Sequence, residues 1–188
     1  MCSPCKDLER RFGSGDCKCK HYREQFPDCH CEGTSVSDHS PGPVEAEEWL
    51  VRVLYSPHHL NKETGQPTPA ALGDAAHRGL SCNRQSYISE PDLRARIEAK
   101  IAADAAAGKR SDAFWLVVRA QCSAIRSITQ DSGEREFCIY DTALETDMSH
   151  ADVCQERVSP DSLRKKIRKR LAAVFGNPSE LSGIYLER

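Results

Sequence analysis

Residues 159–178 read SPDSLRKKIRKRLAAVFGNP, and the reading of this stretch decides the fold of the chain before it. Ser159 offers the side-chain oxygen that an N-cap needs, Pro160 presets φ for the first helical turn, and Gly176 followed by Pro178 stops the helix. Between these signals Leu163, Ile167, Leu171 and Phe175 recur every four residues, so one helix face is apolar and the opposite one is crowded with Lys and Arg. Such a helix must bury its stripe against a second layer.

That layer lies upstream. Residues 113–118 (AFWLVV) are apolar on both alternating sets and predict a central strand, while Ile125 to Thr129 and Arg135 to Tyr140 flank the polar turn QDSGE and predict a hairpin. Trp49 to Tyr55 (WLVRVLY) predicts a further strand, and Leu80 to Cys82 an extended segment. Thr68 before Pro69, with Gly79 beyond, predicts a short helix over 69–78. Ser89, Pro91, the spacing of Leu93, Ile97 and Ile101, and Gly108 predict a long one. The expected class is α+β, a small, mostly antiparallel sheet with two or three helices packed on one face.

Composition divides the chain. A stretch poor in bulky hydrophobes, GTSVSDHSPGP at 33–43, separates a cysteine-rich start from the periodic patterns of a core. This predicts a Cys/His-rich zinc module over 1–33, a Gly/Ser/Pro linker over 34–46 and an α+β domain over 47–188. A formal charge of −2 leaves no overall field to draw the molecule onto DNA or an anionic membrane. With no apolar run of signal or membrane-spanning length, the expected location is the cytoplasm, where closely spaced cysteines serve as metal ligands more often than as disulfides.

Cys2, Cys5, Cys17, Cys19, Cys29 and Cys31 all fall in the first 31 residues, with His21 among them. In extended chain, residues two apart face the same way, so Cys17, Cys19 and His21 form one potential ligand set and Cys29 with Cys31 another. Cys2 and Cys5 have the C-x-x-C spacing that lets two sulfurs reach one ion. Thiolates with imidazole select zinc or iron–sulfur, and a closed structural zinc site is the expected cofactor. Residues 17–29 (CKCKHYREQFPDC) resemble the front of a CDGSH iron–sulfur motif, although the continuation HCEG lacks that motif's ligand histidine. The resemblance therefore keeps an iron–sulfur cluster behind zinc.

Three groups in the larger domain are candidates for chemistry. Arg78 and Arg84 bracket a turn and strand with His77 and Cys82, and guanidinium forks suit an anion site. His150, Asp152 and Cys154 alternate along one strand face, a pattern in which an imidazole serves as the base that ionises a thiol. Arg164, Lys165, Arg168 and Lys169 make the last helix basic enough to meet nucleic-acid phosphates. The leading expectation is a binding or adaptor protein with an unknown protein partner and a structural zinc module. A nucleic-acid-associated protein and a small enzyme, using Cys154 with His150 or the arginine pair, are the alternatives.

Overall fold

The computed structural model describes residues 3–12, 18–25, 31–109, 113–155 and 161–186. Five strands, β1 (Trp49–Tyr55), β2 (Leu80–Arg84), β3 (Trp115–Gln121), β4 (Phe137–Asp141) and β5 (His150–Gln155), form one sheet in the order β3-β1-β2-β5-β4. Every neighbouring pair is antiparallel. Around the sheet lie helices α1 (Ser3–Phe12), α2 (Lys18–Gln25), α3 (Glu90–Ala106), α4 (Cys122–Arg126), α5 (Asp161–Phe175) and α6 (Leu181–Leu186). The architecture is α+β, as the sequence patterns predict. No described helix is long and apolar enough to cross a membrane.

Strand alternation builds two interiors. Leu50, Leu54, Leu80, Val118, Ile139 and Val153 point to one side, where Ile167, Leu171 and Phe175 of α5 and Ile125 of α4 cover them. On the other side Val51, Val53 and Val117 meet Leu93 and Ile97 of α3 and Leu181 and Ile184 of α6. The remaining part of that second face, carrying Cys138, Tyr140 and Cys154, is covered by Cys5 and Leu8 of α1 and Cys19 and Tyr22 of α2. Helices therefore occupy both faces, where the sequence reading placed them on one. The stripe of α5 explains only one layer, and the apolar residues on both sides of β1 and β3 require the second.

Three local expectations differ from the structure. Residues 113–118 feed an edge strand, because apolar residues on both sides report that both faces are covered and say nothing about how many neighbours a strand has. Over 69–78 the chain forms only a 3-10 turn, Gly73–Ala76, since a segment this short with a central glycine cannot offset the cost of helix nucleation. The first arm of the predicted hairpin is partly α4, whose Cys122 and Ile125 face the core at helical spacing; only the bridge Thr129–Arg135 remains of the pairing. The long helix behaves as predicted: Ser89 accepts a hydrogen bond from the Asp92 N–H, and Gly108 has a φ of 67° just past its end. Ser159 and Pro160 lie outside the described residues, and α5 ends before Gly176 at a φ of 71°.

Both sheet edges are blocked. At β3, Val117 and Ser179 exchange backbone hydrogen bonds of 2.9 and 2.8 Å. At β4, the buried carboxylate of Glu32, in the 3-10 turn Cys31–Gly33, accepts the Ile139 N–H at 2.8 Å. Arg126 and Arg135 hold that carboxylate at 2.7 and 2.6 Å. The residues between this turn and β1 run along the same end of the sheet, with Val36 and Val44 buried and Arg84 donating to the carbonyls of Gly42 and Pro43. An open edge invites pairing with another chain, and a side-chain plug prevents it. Replacing Glu32 by Ala removes a charge-assisted hydrogen bond of about 1.5–3 kcal/mol, so Ile139 amide exchange is expected to accelerate roughly tenfold or more. Unchanged protection at Ile139 in a hydrogen-exchange experiment would show that the edge is held by something else.

Candidate functional site

The N-terminal helices meet the sheet through a buried polar cluster. Alternation on β5 puts His150, Asp152 and Cys154 on one face, and the register places Ser81 of β2 and Tyr140 of β4 on either side of Asp152. Gly79 makes room for the carboxylate: its φ is 94°, and a Cβ there would lie 2.9 Å from Asp152 Cγ. Asp152 Oδ1 accepts from Ser81 Oγ at 3.2 Å, and Oδ2 from Thr142 Oγ1 at 3.1 Å. Thr142 has one hydroxyl hydrogen and gives it to the carboxylate. His150 therefore donates through Nδ1 toward Thr142, whose Oγ1 is 2.8 Å away and whose carbonyl is 3.1 Å away.

The cation comes from α2. Lys18 Nζ donates to Asp152 Oδ2 at 2.6 Å and to Glu9 Oε1 of α1 at 3.1 Å, and the side chains of Lys18 and Asp152 are each only 2% exposed. Tyr22, one helical turn after Lys18, donates to Glu9 Oε2 at 2.8 Å and stacks on Tyr140 with ring centroids 4.4 Å apart and planes 11° from parallel. Beside this pair Cys19 is joined to Cys154 in a disulfide, and its backbone N–H donates to the His77 carbonyl at 2.8 Å. One turn of α2 is thus fixed by an ion pair, a stacked ring pair, a backbone hydrogen bond and a covalent bond.

The protonation balance follows from these contacts. Burial works against the Asp152 carboxylate, yet Lys18, His150 and the Thr142 hydroxyl outweigh it and hold its pKa below the ordinary 3.8. Burial also works against the Lys18 ammonium, but Asp152 and Glu9 more than compensate and raise its pKa above 10.5. For Glu9 burial prevails over the help of Lys18, and the pKa rises above 4.5. Asp152 is therefore the principal counterion of Lys18, and Glu9 is the carboxylate that takes up a proton first on acidification. Away from this cluster burial pushes the Cys82 and Cys122 thiols up to about 12, so both behave as small core side chains.

The candidates from sequence fall into separate places. Cys19 is bonded to Cys154, and Cys5 is buried in the same cluster as Cys138. His21 is half-buried on α2. Cys2, Cys17 and Cys29 lie outside the described residues, as does the Cys31 side chain. Among the described residues no group of three His, Cys, Asp or Glu is placed to hold a metal ion. His150 and Cys154 share a strand face but stand four residues, about 13 Å, apart along it, so the imidazole does not reach that sulfur. Arg78 and Arg84 flank opposite ends of β2. Arg78 pairs with Asp74 at 3.0 Å, and Arg84 is buried on Glu48, donating to Oε2 at 2.8 Å and Oε1 at 2.6 Å.

Lys165, Arg168 and Lys169 are exposed on α5, while the Arg164 side chain lies outside the described residues. A cavity of about 200 Å³ between α5, the Gly73–Ala76 turn and the ends of β4 and β5 has Phe137, Ile167 and Leu171 in its wall, with His77, Gln155 and Arg168 as polar lining. Glu9, Lys18, Tyr22, Tyr140 and Thr142 are site residues that sequence reasoning passed over. Their one signal was the four-residue spacing of Lys18 and Tyr22, which cysteines on either side obscured. Comparison with protein-family models, curated proteins and solved structures finds no match to this chain.

The acid behaviour of the cluster is testable at Asp152. A carboxylate whose folded pKa is depressed adds stability that is present above its unfolded value, 3.8, and is lost as pH falls through the lower folded value. In Lys18→Met the strongest group opposing burial is gone and only His150 and the Thr142 hydroxyl still oppose it, so the Asp152 carboxyl resonance, followed by NMR, is expected to titrate at higher pH than in wild type. An Asp152 titration that does not move would mean that Lys18 is not its counterion. Gly79→Ala tests the same packing from the other side. The left-handed backbone costs about 1–2 kcal/mol and the collision with Asp152 about 1–3 kcal/mol more, so the urea midpoint should fall clearly; an unchanged midpoint would contradict the close approach.

Proposed function

We infer that the protein is a binding or adaptor protein whose surface around Asp152 and Tyr140 receives a helical segment bearing a lysine and, one turn later, an aromatic residue. The observation that supports this reading is the way α2 sits there in cis. Lys18 places its ammonium on a buried aspartate, and Tyr22 places its ring on Tyr140. A desolvated charge anchor beside an aromatic anchor on one helix face is the pattern by which grooves recognise helices. The receiving groups, Ser81, Tyr140, Thr142, His150 and Asp152, belong to the sheet and its β4–β5 connection, whereas the occupying groups belong to a segment attached to β5 by one disulfide. An occupant tethered in cis acts at an effective concentration in the millimolar range. A partner therefore competes only after the tether is released.

The probe is a labelled peptide of residues 3–25 with its cysteines replaced by serine, and the readout is fluorescence anisotropy with the full-length protein. Oxidised wild type should bind it weakly or not at all. The full-length double variant Lys18→Ala with Cys19→Ser, in which the resident helix is untied, should bind it, and adding Asp152→Asn should weaken that binding at least tenfold, since removing one partner of a buried charge pair costs about 2–5 kcal/mol. Peptide binding that is absent from the double variant, or equal with and without Asp152→Asn, would overturn the reading. Zinc bound to the reduced wild type, with α2 still docked, would instead make the N-terminal segment a metal module.

A further inference from the structure

We propose that Cys138 is an internal resolving thiol for the Cys19–Cys154 disulfide, so that the tether on α2 is released by thiol–disulfide exchange within the protein. The proposal rests on the reading of α2 as a displaceable occupant and supplies its regulation. Cys138 lies outside the disulfide, and the β4–β5 register sets it directly opposite Cys154. Opposed residues on antiparallel strands have Cα atoms about 4.5–5.5 Å apart, inside the range of about 4.4–6.8 Å that a disulfide spans. Cys154 therefore has both Cys19, at a Cα distance of 5.4 Å, and Cys138, across the ladder, within bonding reach.

The surroundings favour attack from Cys138. Arg135 Nη2 donates to Cys138 Sγ at 2.9 Å, and a guanidinium on sulfur stabilises the thiolate, which is the nucleophile. Glu32 holds that guanidinium at 2.6 Å, so the cation is positioned by the same carboxylate that plugs the β4 edge. Cys19, Cys138 and Cys154 are each 2% exposed or less, which shields the bond from dithiols in solution and leaves neighbouring thiols as the attackers. Among the described residues Cys5 shares the cluster and is a rival resolving thiol.

The exchange balances without an added oxidant or reductant. Cys138 gives up its proton, its thiolate attacks Cys154 Sγ, a Cys138–Cys154 bond forms, and the Cys19–Cys154 bond breaks. Cys19 leaves as a thiolate and takes up a proton. The new bond lies within the sheet, joining adjacent strands. Helix α2 is then held to the sheet by Lys18 on Asp152, Tyr22 on Tyr140 and the backbone hydrogen bond to His77, without a covalent bond. Its thiol leaves with it.

The test uses oxidised full-length protein held at pH 8 with N-ethylmaleimide and no reductant, followed by disulfide mapping with mass spectrometry. Alkylation at Cys19 should accumulate together with a Cys138–Cys154 linkage. Cys138→Ser and Cys138→Ala should each slow Cys19 alkylation at least tenfold with the near-UV circular dichroism retained, Arg135→Gln should slow it severalfold, and Arg135→Lys should restore part of the rate. Cys19 alkylation as fast in both Cys138 variants as in wild type would overturn the proposal, as would a Cys5–Cys154 linkage. The mapping involves no partner, so exchange without peptide binding would remove the binding reading alone, and peptide binding without exchange would remove this one alone.

Discussion

An ammonium and a carboxylate taken out of water must stay together, because separating them leaves an uncompensated buried charge at a cost of about 3–5 kcal/mol. Lys18 and Asp152 are in that position, and their contact determines where the first two helices lie. Asp152 can occupy its place because Gly79 has no side chain and because Ser81 and Thr142 satisfy its oxygens. Lys18 can reach it because the α2 N–H at Cys19 is held by the His77 carbonyl. Glu9 and Tyr22 then tie α1 to α2, and Tyr22 carries the contact on to Tyr140. The disulfide acts on the same junction. It closes a sequence separation of 135 residues, which in the chain-entropy model is worth about 5 kcal/mol through restriction of the unfolded chain.

The rest of the sheet prepares the ground for that junction. Its β1–β3 half has both faces filled by aliphatic packing from α3, α5 and α6, and Ser179 closes the outer edge. The β4–β5 half is polar on one face, where Cys138, Tyr140, Asp152 and Cys154 stand in two cross-strand pairs. Glu32 links two functions at this end. Its carboxylate satisfies an edge amide, and its partner Arg135 also donates to Cys138. Edge protection and the state of a sulfur atom are thereby coupled through one buried acid.

Much of the scaffold was legible in the sequence, and the junction was not. The stripe Leu163, Ile167, Leu171, Phe175 and the capped start at Ser89 identify α5 and α3 because local signals agree with burial. WLVRVLY and the alternation from His150 to Cys154 likewise mark strands, and the sequence correctly set His150, Asp152 and Cys154 on one face. Helices α1 and α2 were hidden by their own cysteines, which drew attention to ligand spacing, although Cys5 and Leu8 already lie one helical turn apart on a buried face. Lys18 carried no signal of its own because its partner lies 134 residues away, and no local pattern reports such a distance. The same separation kept Cys19 from being matched to Cys154, since thiol spacing near the start says nothing about which strand returns beside it.

The seat of the first two helices depends on Cys19 and Cys154 meeting beside the Lys18–Asp152 pair. Peptide mapping of the native, alkylated protein under non-reducing conditions tests this most directly. The structure predicts a reducible peptide pair containing Cys19 and Cys154. Cys19 joined to another cysteine of the first 31 residues, or recovered as a metal-protected thiol while Cys154 is alkylated separately, would contradict it.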